Sequence, residues 1–386
     1  MFGLAPANGQ KPIVVISDTH FGEPQATLGS VSADPLQRRA AARRLDALMD
    51  ALAALGPLDE IILLGDIWEM WGTSFRLAVQ DAAPFFERLC ALPAERLVYL
   101  PGNHDYHLLV QHIEYEQVVR LRSGEPLSNR YRSQHIFADS FLRGALPRDA
   151  GERLIVKYPD HHRVIAGRHI TFHHGHHLAT LRGGDLFAAF PMFILKRLEG
   201  VGMPTLTREE LERGVSIFYE MVYAGSLGDR TAPRLQEYWA QIQNWRRWWL
   251  WSLLGWMRAR LRQASSLRDR GTPYMDVERF REAARWLVRL MAADAGEAFR
   301  PPDVYVFGHT HRSGLTAVPL DTGRDMLHLV NSGCWLVEPH KRNTDHVNTL
   351  VVIDGDHVGV YKLTESGLRL REAVQIPQPQ QQRAWA

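Results

Sequence analysis

Five short stretches of this chain concentrate side chains that bind metal ions: Asp18-Thr19-His20, Gly65-Asp66, Gly102-Asn103-His104-Asp105, His173-His174-Gly175-His176-His177 and Gly308-His309-Thr310-His311. Taken singly, each has a bland explanation. Asp and His populate turns, Asp after Gly caps helices, and Asn after Gly adopts a left-handed turn. A histidine doublet commonly sends one ring into the core and one to the surface. Taken together, they form a donor set of two carboxylates, one amide and four imidazoles, with no thiolate. That mixture suits divalent manganese, iron, cobalt, nickel or zinc, and not a cysteine-based structural zinc.

The elements that must position these donors are legible as apolar runs. IVVIS (13–17), EIILL (60–64), RLVYL (96–100), HITF (169–172) and VYVF (304–307) each lead directly into one of the five stretches. Continuous apolar runs of this length predict strands buried on both faces. Residues 37–55 carry apolar side chains at helical spacing, and Gly56-Pro57 supplies the stop. Strand alternating with helix predicts an α/β sandwich. In a parallel sheet the carboxyl ends of the strands share one edge, where such proteins hold ligands. Strand alternation then predicts that Asp18 and His20 point the same way, as do His309 and His311 with Thr310 as spacer.

Between two histidine motifs the strand pattern stops. Residues 178–302 read as a helical, Trp- and Arg-rich insertion or cap, with helix-capable segments near 207–224 and 232–264. The expected organisation is a core in two parts, 1–177 and 303–375, around that insertion, with 376–386 as a disordered Pro/Gln tail. Strand patterns resume at 327–333, 349–354 and 357–363. No internal repeat is evident.

Composition narrows the class. At 386 residues, with 45% hydrophobic and 23% charged residues, the chain can form one large domain with an insertion, or two domains. A formal net charge of +2 does not mark a nucleic-acid binder. Two cysteines, Cys90 and Cys334, argue against a disulfide scaffold and fit a reducing compartment. The amino terminus lacks a signal pattern. The longest strongly apolar run, 248–257, is about half of what a bilayer span needs. The expected location is therefore cytoplasmic. Within 238–258, Tyr238, Ile242, Trp245, Trp249 and Trp256 make an aromatic stripe, with Arg246, Arg247 and Arg258 to its side. That stripe suits internal packing or contact with a membrane surface, which would place the protein peripherally at the inner membrane. Stacking on single-stranded nucleic acid is the weaker alternative.

The ordered blocks DTH, GD, GNHD, HGH and GHTH resemble the calcineurin-like metallophosphoesterase superfamily, over roughly 13–175 and 303–363. Within it, GDIWEMWG (65–72), GHTHRS (308–313) and NSGCW (331–335) are most similar to the UDP-2,3-diacylglucosamine pyrophosphohydrolase group, which acts on a lipid-bearing pyrophosphate at the membrane surface. That group commonly reads GNRD where this chain reads GNHD. The resemblance implies a metallophosphoesterase-type β-sandwich flanked by helices, an αββα four-layer fold. It also implies two divalent metal ions, with manganese foremost and iron, zinc, cobalt or nickel as others. One ion would be held by Asp18, His20, Asp66 and His311, the other by Asp66, Asn103, His174 and His309. The choice of His174 rests on the family's HG pattern, since the residues alone leave His173 its equal.

The same resemblance implies cleavage of a phosphodiester or pyrophosphate by a metal-bridging hydroxide, on a lipid- or nucleotide-linked substrate. His104 would protonate the leaving oxygen. Glu69 has the spacing of an acid that supports that histidine, and its alternative is a surface helix residue. Arg312 is either a forked donor to phosphate or a solvated charge. The rival enzymes are a nuclease and a cyclic-nucleotide phosphodiesterase. The rival from another class is a non-catalytic scaffold, a kind of protein that tends to lose ligand residues, whereas here every ligand position is filled.

Overall fold

The computed structural model describes residues 11–32, 34–132, 134–137, 142–143, 146, 148–183, 186–226, 277–296, 299–320, 326–338, 343–355 and 357–375. The Trp-rich stretch 238–258, the helix expected at 232–264 and the tail 376–386 lie outside the described residues.

The buried strands have two apolar faces, and each face meets a different layer. In β1 (Ile13–Ile16), Val14 and Ile16 turn to one side while Ile13 and Val15 turn to the other. β2 (Leu58–Leu63) and β3 (Ala94–Tyr99) divide in the same way; β2 pairs with β1 in parallel, and β3 with β2. On the outer side lie α1 (Pro35–Ala53), α2 (Phe75–Ala91) and α3 (Tyr106–Ser123), which bury Leu48, Leu52, Phe85, Leu89 and Leu108 against the sheet. α1 starts where its sequence says it should. Asp34 accepts a hydrogen bond from the Leu36 N–H, and Pro35 occupies the first turn, where no amide partner is needed.

The remaining strands complete two sheets. β4 (His135–Phe137), a short α4 (Arg148–Arg153) and β5 (Leu154–Tyr158) follow α3. β6 (Asp160–Ile165) and β7 (Arg168–His173) come next, and then α5 (His176–Arg182), α6 (Leu186–Ile194) and α7 (Arg208–Ser226). After α8 (Val277–Ala295) come β8 (Val304–Phe307), β9 (Gly314–Pro319), β10 (Met326–Asn331), β11 (Thr349–Asp354), β12 (His357–Thr364) and β13 (Gly367–Gln375). One sheet runs β13-β12-β11-β1-β2-β3-β5-β4, and the other runs β6-β7-β8-β10-β9.

The two sheets pack face to face through Val15, Ile62 and Val98 on one side and Ile170, Phe172, Val306 and Val330 on the other. α5 and α8 cover the far face of the second sheet, burying Leu178, Phe280 and Leu287 on Tyr305, Phe307 and Leu329. The result is helix, sheet, sheet, helix. The strands leading into the five motifs therefore belong to two sheets, as the expected αββα sandwich requires, and their ends do not share the edge of one parallel sheet. β1, β2 and β3 lie in the first, β7 and β8 in the second, each group parallel within its own sheet. An apolar run announces a strand buried on both faces, but it carries no label for the sheet that strand joins.

A smaller difference lies at the edge of the first sheet. β13 is partly exposed along its whole length and shows no apolar run, so it escaped the pattern. α7 forms where 207–224 has helical spacing. Among the described residues, no helix is long and apolar enough to cross a membrane.

Phe172 is fully buried between the sheets. Its replacement by Ala is expected to lower unfolding free energy by about 3–5 kcal/mol, measured by urea denaturation. A loss below about 1 kcal/mol would show that the inter-sheet layer is not closely packed there.

Candidate metal centre

Each donor sits beyond the end of a strand, and five of the seven have an unusual backbone. Asp18 (φ 53°), His20 (φ 47°), Asp66 (φ 52°), His309 (φ 67°) and His311 (φ 58°) all adopt the left-handed conformation. β1 has ended at Ile16 and β8 at Phe307, so strand alternation is not what aligns Asp18 with His20 or His309 with His311. Tight left-handed turns do that instead. Such a conformation costs a residue with a side chain roughly 1–2 kcal/mol, and it gathers at functional sites.

The surroundings offset that cost by lacing the loops together. The Asp18 N–H donates to Gly65 O at 3.0 Å, His20 N–H to Asp66 O at 3.0 Å and Gly308 N–H to His174 O at 2.8 Å. The His309 N–H donates to Asp18 Oδ1 at 3.0 Å. Space is equally constrained. A methyl group on Gly102 would strike Asp66 Oδ1 and His174 Nε2, and one on Gly308 would strike Asp18 Oδ2.

The donors converge as two groups around Asp66. On one side, Asp18, His20, Asp66 and His311 each offer an atom within 4.8 Å of the others. His20 Nε2 lies 3.1 Å from His311 Nε2, and His311 Nε2 lies 3.4 Å from Asp18 Oδ1. On the other side, Asp66, His174 and His309 form a second such group. Asn103 Oδ1 joins them, 3.0 Å from His174 Nε2 and 2.6 Å from His309 Nδ1. His174 Nε2 is 3.2 Å from Asp66 Oδ2. The doublet is resolved as well: His174 faces Asp66, whereas His173 faces His176 and His177.

Ligand histidines need their second nitrogen oriented, and three of these have it. His20 Nδ1 is 3.0 Å from Glu69 Oε2, His174 Nδ1 is 2.8 Å from Leu64 O, and His311 Nδ1 is 2.5 Å from Glu338 Oε2. Each acceptor holds a proton on Nδ1 and directs Nε2 toward the centre.

Charge in the centre is tightly coupled. Burial opposes protonation of His174, but Asp66 and Asp18 overcome it and hold its pKa up at about 9. Burial likewise works against His20 and His311; Glu69 raises the one, and Asp18 with Glu338 raises the other. Burial and the His174 charge push His309 down to about 3, so it stays neutral. Asp66 is held well below the usual carboxylate range against its burial, by His174 and His104 above all. Ionised carboxylates that draw charge onto buried imidazoles fit a site for cations, which would replace those protons.

Glu69 is not a surface helix residue. It is 3% exposed, and its Oε2 touches both His20 Nδ1 and, at 2.7 Å, His104 Nδ1. Its Oε1 accepts the Trp71 and Gly72 N–H groups, both at 2.8 Å. His104 keeps 24% of its side chain accessible, and the Trp71 ring stacks on it at 4.0 Å. Burial would lower the His104 pKa, but Glu69 and Asp66 raise it to about 9. Arg312 is half-buried beside His311, and its charge helps to lower the pKa of His346, after burial and Arg371.

Motif reading left four supporting residues without a role. Asp105 accepts from Gly102 N–H at 2.6 Å and Ile67 N–H at 2.8 Å, so it joins the Gly65-Asp66 loop to the Gly102-Asn103 loop. Its place in GNHD was a usable signal. Asn331 and Ser332, in the NSG block, brace the last histidine loop through Gly308 O, Thr310 Oγ1 and Phe307 O. Glu338 had no sequence signal at all, because nothing in its neighbourhood marks it.

A family model described as calcineurin-like phosphoesterase matches residues 11–217, more than half of the chain. The chain belongs to the calcineurin-like phosphoesterases. Among curated proteins, none matches it. The metallophosphoesterase fold is therefore established, and metal-dependent phosphoester hydrolysis is the activity its family carries. The two donor groups suit the pair of divalent ions that this family binds.

In this phosphoesterase, Glu338→Gln should weaken metal retention about 10- to 100-fold, measured by titrating the apoprotein with Mn²⁺. Protons compete with cations for His20, His174 and His311, whose pKa values are raised. Metal affinity should therefore rise with pH towards about 9, where His174 deprotonates. Affinity that is flat from pH 6 to 9 would contradict the coupling.

Proposed function

We propose that this phosphoesterase hydrolyses a phosphodiester or pyrophosphate bond of a lipid- or nucleotide-linked, amphiphilic substrate. Two divalent ions would assist it, manganese foremost, and the part of 178–302 outside α5 and α8 would form a helical cap. The observation that carries this reading is Asp66 standing between two complete donor groups: Asp18, His20 and His311 on one side, Asn103, His174 and His309 on the other. Bound there, the ions supply Lewis-acid polarisation of phosphoryl oxygens and lower the pKa of the attacking water.

The protein's own groups do the rest. Asn103 contributes an oxygen without adding negative charge beside an incoming phosphate. Glu69 holds His104 by Nδ1, which leaves Nε2 for the substrate. With its pKa at about 9, His104 is protonated at neutral pH and hands that proton to the leaving oxygen. Arg312 adds a forked donor for phosphate. Trp71, stacked on the His104 ring, limits its orientations.

Three features support an amphiphilic substrate. The motif similarity to enzymes of lipid-linked pyrophosphates includes Trp68 and Trp71, and 238–258 has the composition of a membrane-surface segment. In addition, a cavity of about 530 Å³ opens between α5, α6 and α8, where Leu181, Met192, Val201 and Trp286 meet Arg182 and Lys196. An acyl chain and its anionic headgroup suit such a lining.

Wild-type protein should hydrolyse bis(p-nitrophenyl) phosphate in a chelator-sensitive way, and Asp66→Asn should lose at least about 100-fold in kcat. Equal rates for the two proteins would remove the two-ion reading. His104→Ala should lose about 10²–10⁴-fold on esters with poor leaving groups and much less on nitrophenyl esters. A uniform loss would argue against proton donation. DNA hydrolysed faster than lipid-linked pyrophosphates would favour a nuclease.

The pH profile follows from the same pair. The proton on His104 is present below its pKa and lost as pH rises through about 9, so turnover should fall on the alkaline side. Glu69→Gln removes the charge that raises that pKa, so the fall should move to lower pH. An unmoved alkaline limb would detach Glu69 from this role.

A further inference from the structure

We propose that His173, His176 and His177 form a third cation site, separate from the paired centre and built only of imidazoles. β7 ends at His173 and α5 begins at His176, and the turn between them runs through Gly175 at φ 122°. That turn gathers three rings on one side, with centroids 4.7 Å (His173–His176), 4.6 Å (His173–His177) and 4.8 Å (His176–His177) apart. All three residues are buried to within 1%. One nitrogen from each lies within 4.8 Å of the other two.

Every ring has one nitrogen engaged and one without a hydrogen-bond partner. His173 Nδ1 accepts the Gly175 N–H at 2.7 Å, His176 Nε2 meets the Tyr158 hydroxyl at 2.9 Å, and His177 Nε2 meets Glu212 Oε2 at 2.8 Å. His173 Nε2, His176 Nδ1 and His177 Nδ1 are left over. A buried polar atom with no partner costs about 1–3 kcal/mol, so three in one cluster indicate an occupant.

Proton positions narrow the choice. Tyr158 donates its hydroxyl hydrogen to Glu212 at 2.9 Å, so it accepts from His176 Nε2–H. Glu212 accepts from His177 Nε2–H. Both rings therefore carry bare lone pairs on Nδ1, and each is held from behind by an oxygen acceptor, the arrangement typical of metal-ligating histidines. His173 completes the set through Nε2 in its other neutral tautomer: the ring proton moves to Nδ1, which gives up the Gly175 N–H, and the lone pair freed on Nε2 takes the cation. Three nitrogen donors and no carboxylate favour zinc, cobalt, nickel or copper over manganese. His174, between these residues in sequence, faces the other way, onto Asp66 and Asn103. Glu212 also accepts the Tyr106 hydroxyl at 2.6 Å, two residues past His104. An ion at the triad would thus tie α7 to the loops carrying His174 and His104.

The test is metal stoichiometry. Apoprotein reloaded with Zn²⁺ and desalted should retain three equivalents, and His177→Gln one fewer. In an Asp66→Asn background the His177→Gln change should again remove one equivalent. Loading with Co²⁺ should give Asp66→Asn the visible absorption of nitrogen-coordinated cobalt, absent from the double variant. Should His177→Gln fail to fold, an anomalous-scattering map of the wild type at the zinc edge decides the matter by a peak among the three rings. Equal zinc content in wild type and His177→Gln, or no anomalous peak there, overturns the proposal; one water accepting from His173 and donating to the other two rings would then be the occupant. Loss of equivalents in His177→Gln but not in Asp66→Asn would instead leave the triad standing and remove the paired centre.

Discussion

The whole arrangement depends on a layer of apolar side chains that contains no functional group. Val15, Ile62 and Val98 from one sheet press on Phe172, Val306 and Val330 from the other, and this contact sets how far apart the two groups of strand ends lie. Three motifs leave the first sheet and two leave the second. No single sheet presents a complete donor set, because Asp18, His20, Asp66 and Asn103 come from one side and His174, His309 and His311 from the other. Close packing between the sheets is thus part of the chemistry, since small shifts in a dense interior move everything it carries.

On that frame the loops hold a concentration of charge that neither sheet would tolerate alone. Asp18 and Asp66 are ionised and nearly inaccessible to solvent, and they are balanced by imidazoles. The acceptors behind those imidazoles come from two distant segments, Leu64 O and Glu69 from the loop after β2 and Glu338 from beyond β10. Glu69 links the paired centre to His104, because one carboxylate oxygen touches both His20 and His104. Under the proposed mechanism, metal retention and leaving-group protonation would share this residue.

Behind the centre, the histidine-rich turn serves two faces. His174 points to Asp66, while its neighbours point to Glu212, Tyr158 and Gly175. Glu212 belongs to α7, and Tyr219 on the same helix approaches Trp71 at 5.8 Å. Helix α7 is thereby connected to both His174 and His104 without itself supplying a donor. These contacts span residues more than a hundred positions apart in places, and no local pattern announces them.

By itself the sequence determined the donor inventory, its order and the strands that precede each block. Apolar runs and glycine-flanked polar clusters are local signals, and the chemistry of Asp, Asn and His is intrinsic to the side chains. It also carried the family, through five blocks in order. Tertiary structure decided that the strands divide between two sheets and that left-handed turns, not strand alternation, aim Asp18, His20, His309 and His311. It decided between His173 and His174, buried Glu69 beside His104, and brought Glu338 to His311. The reason is the same in each case: which face a ring shows, and which distant carboxylate meets it, depends on packing between segments far apart in the chain. Residue type and spacing hold no record of that.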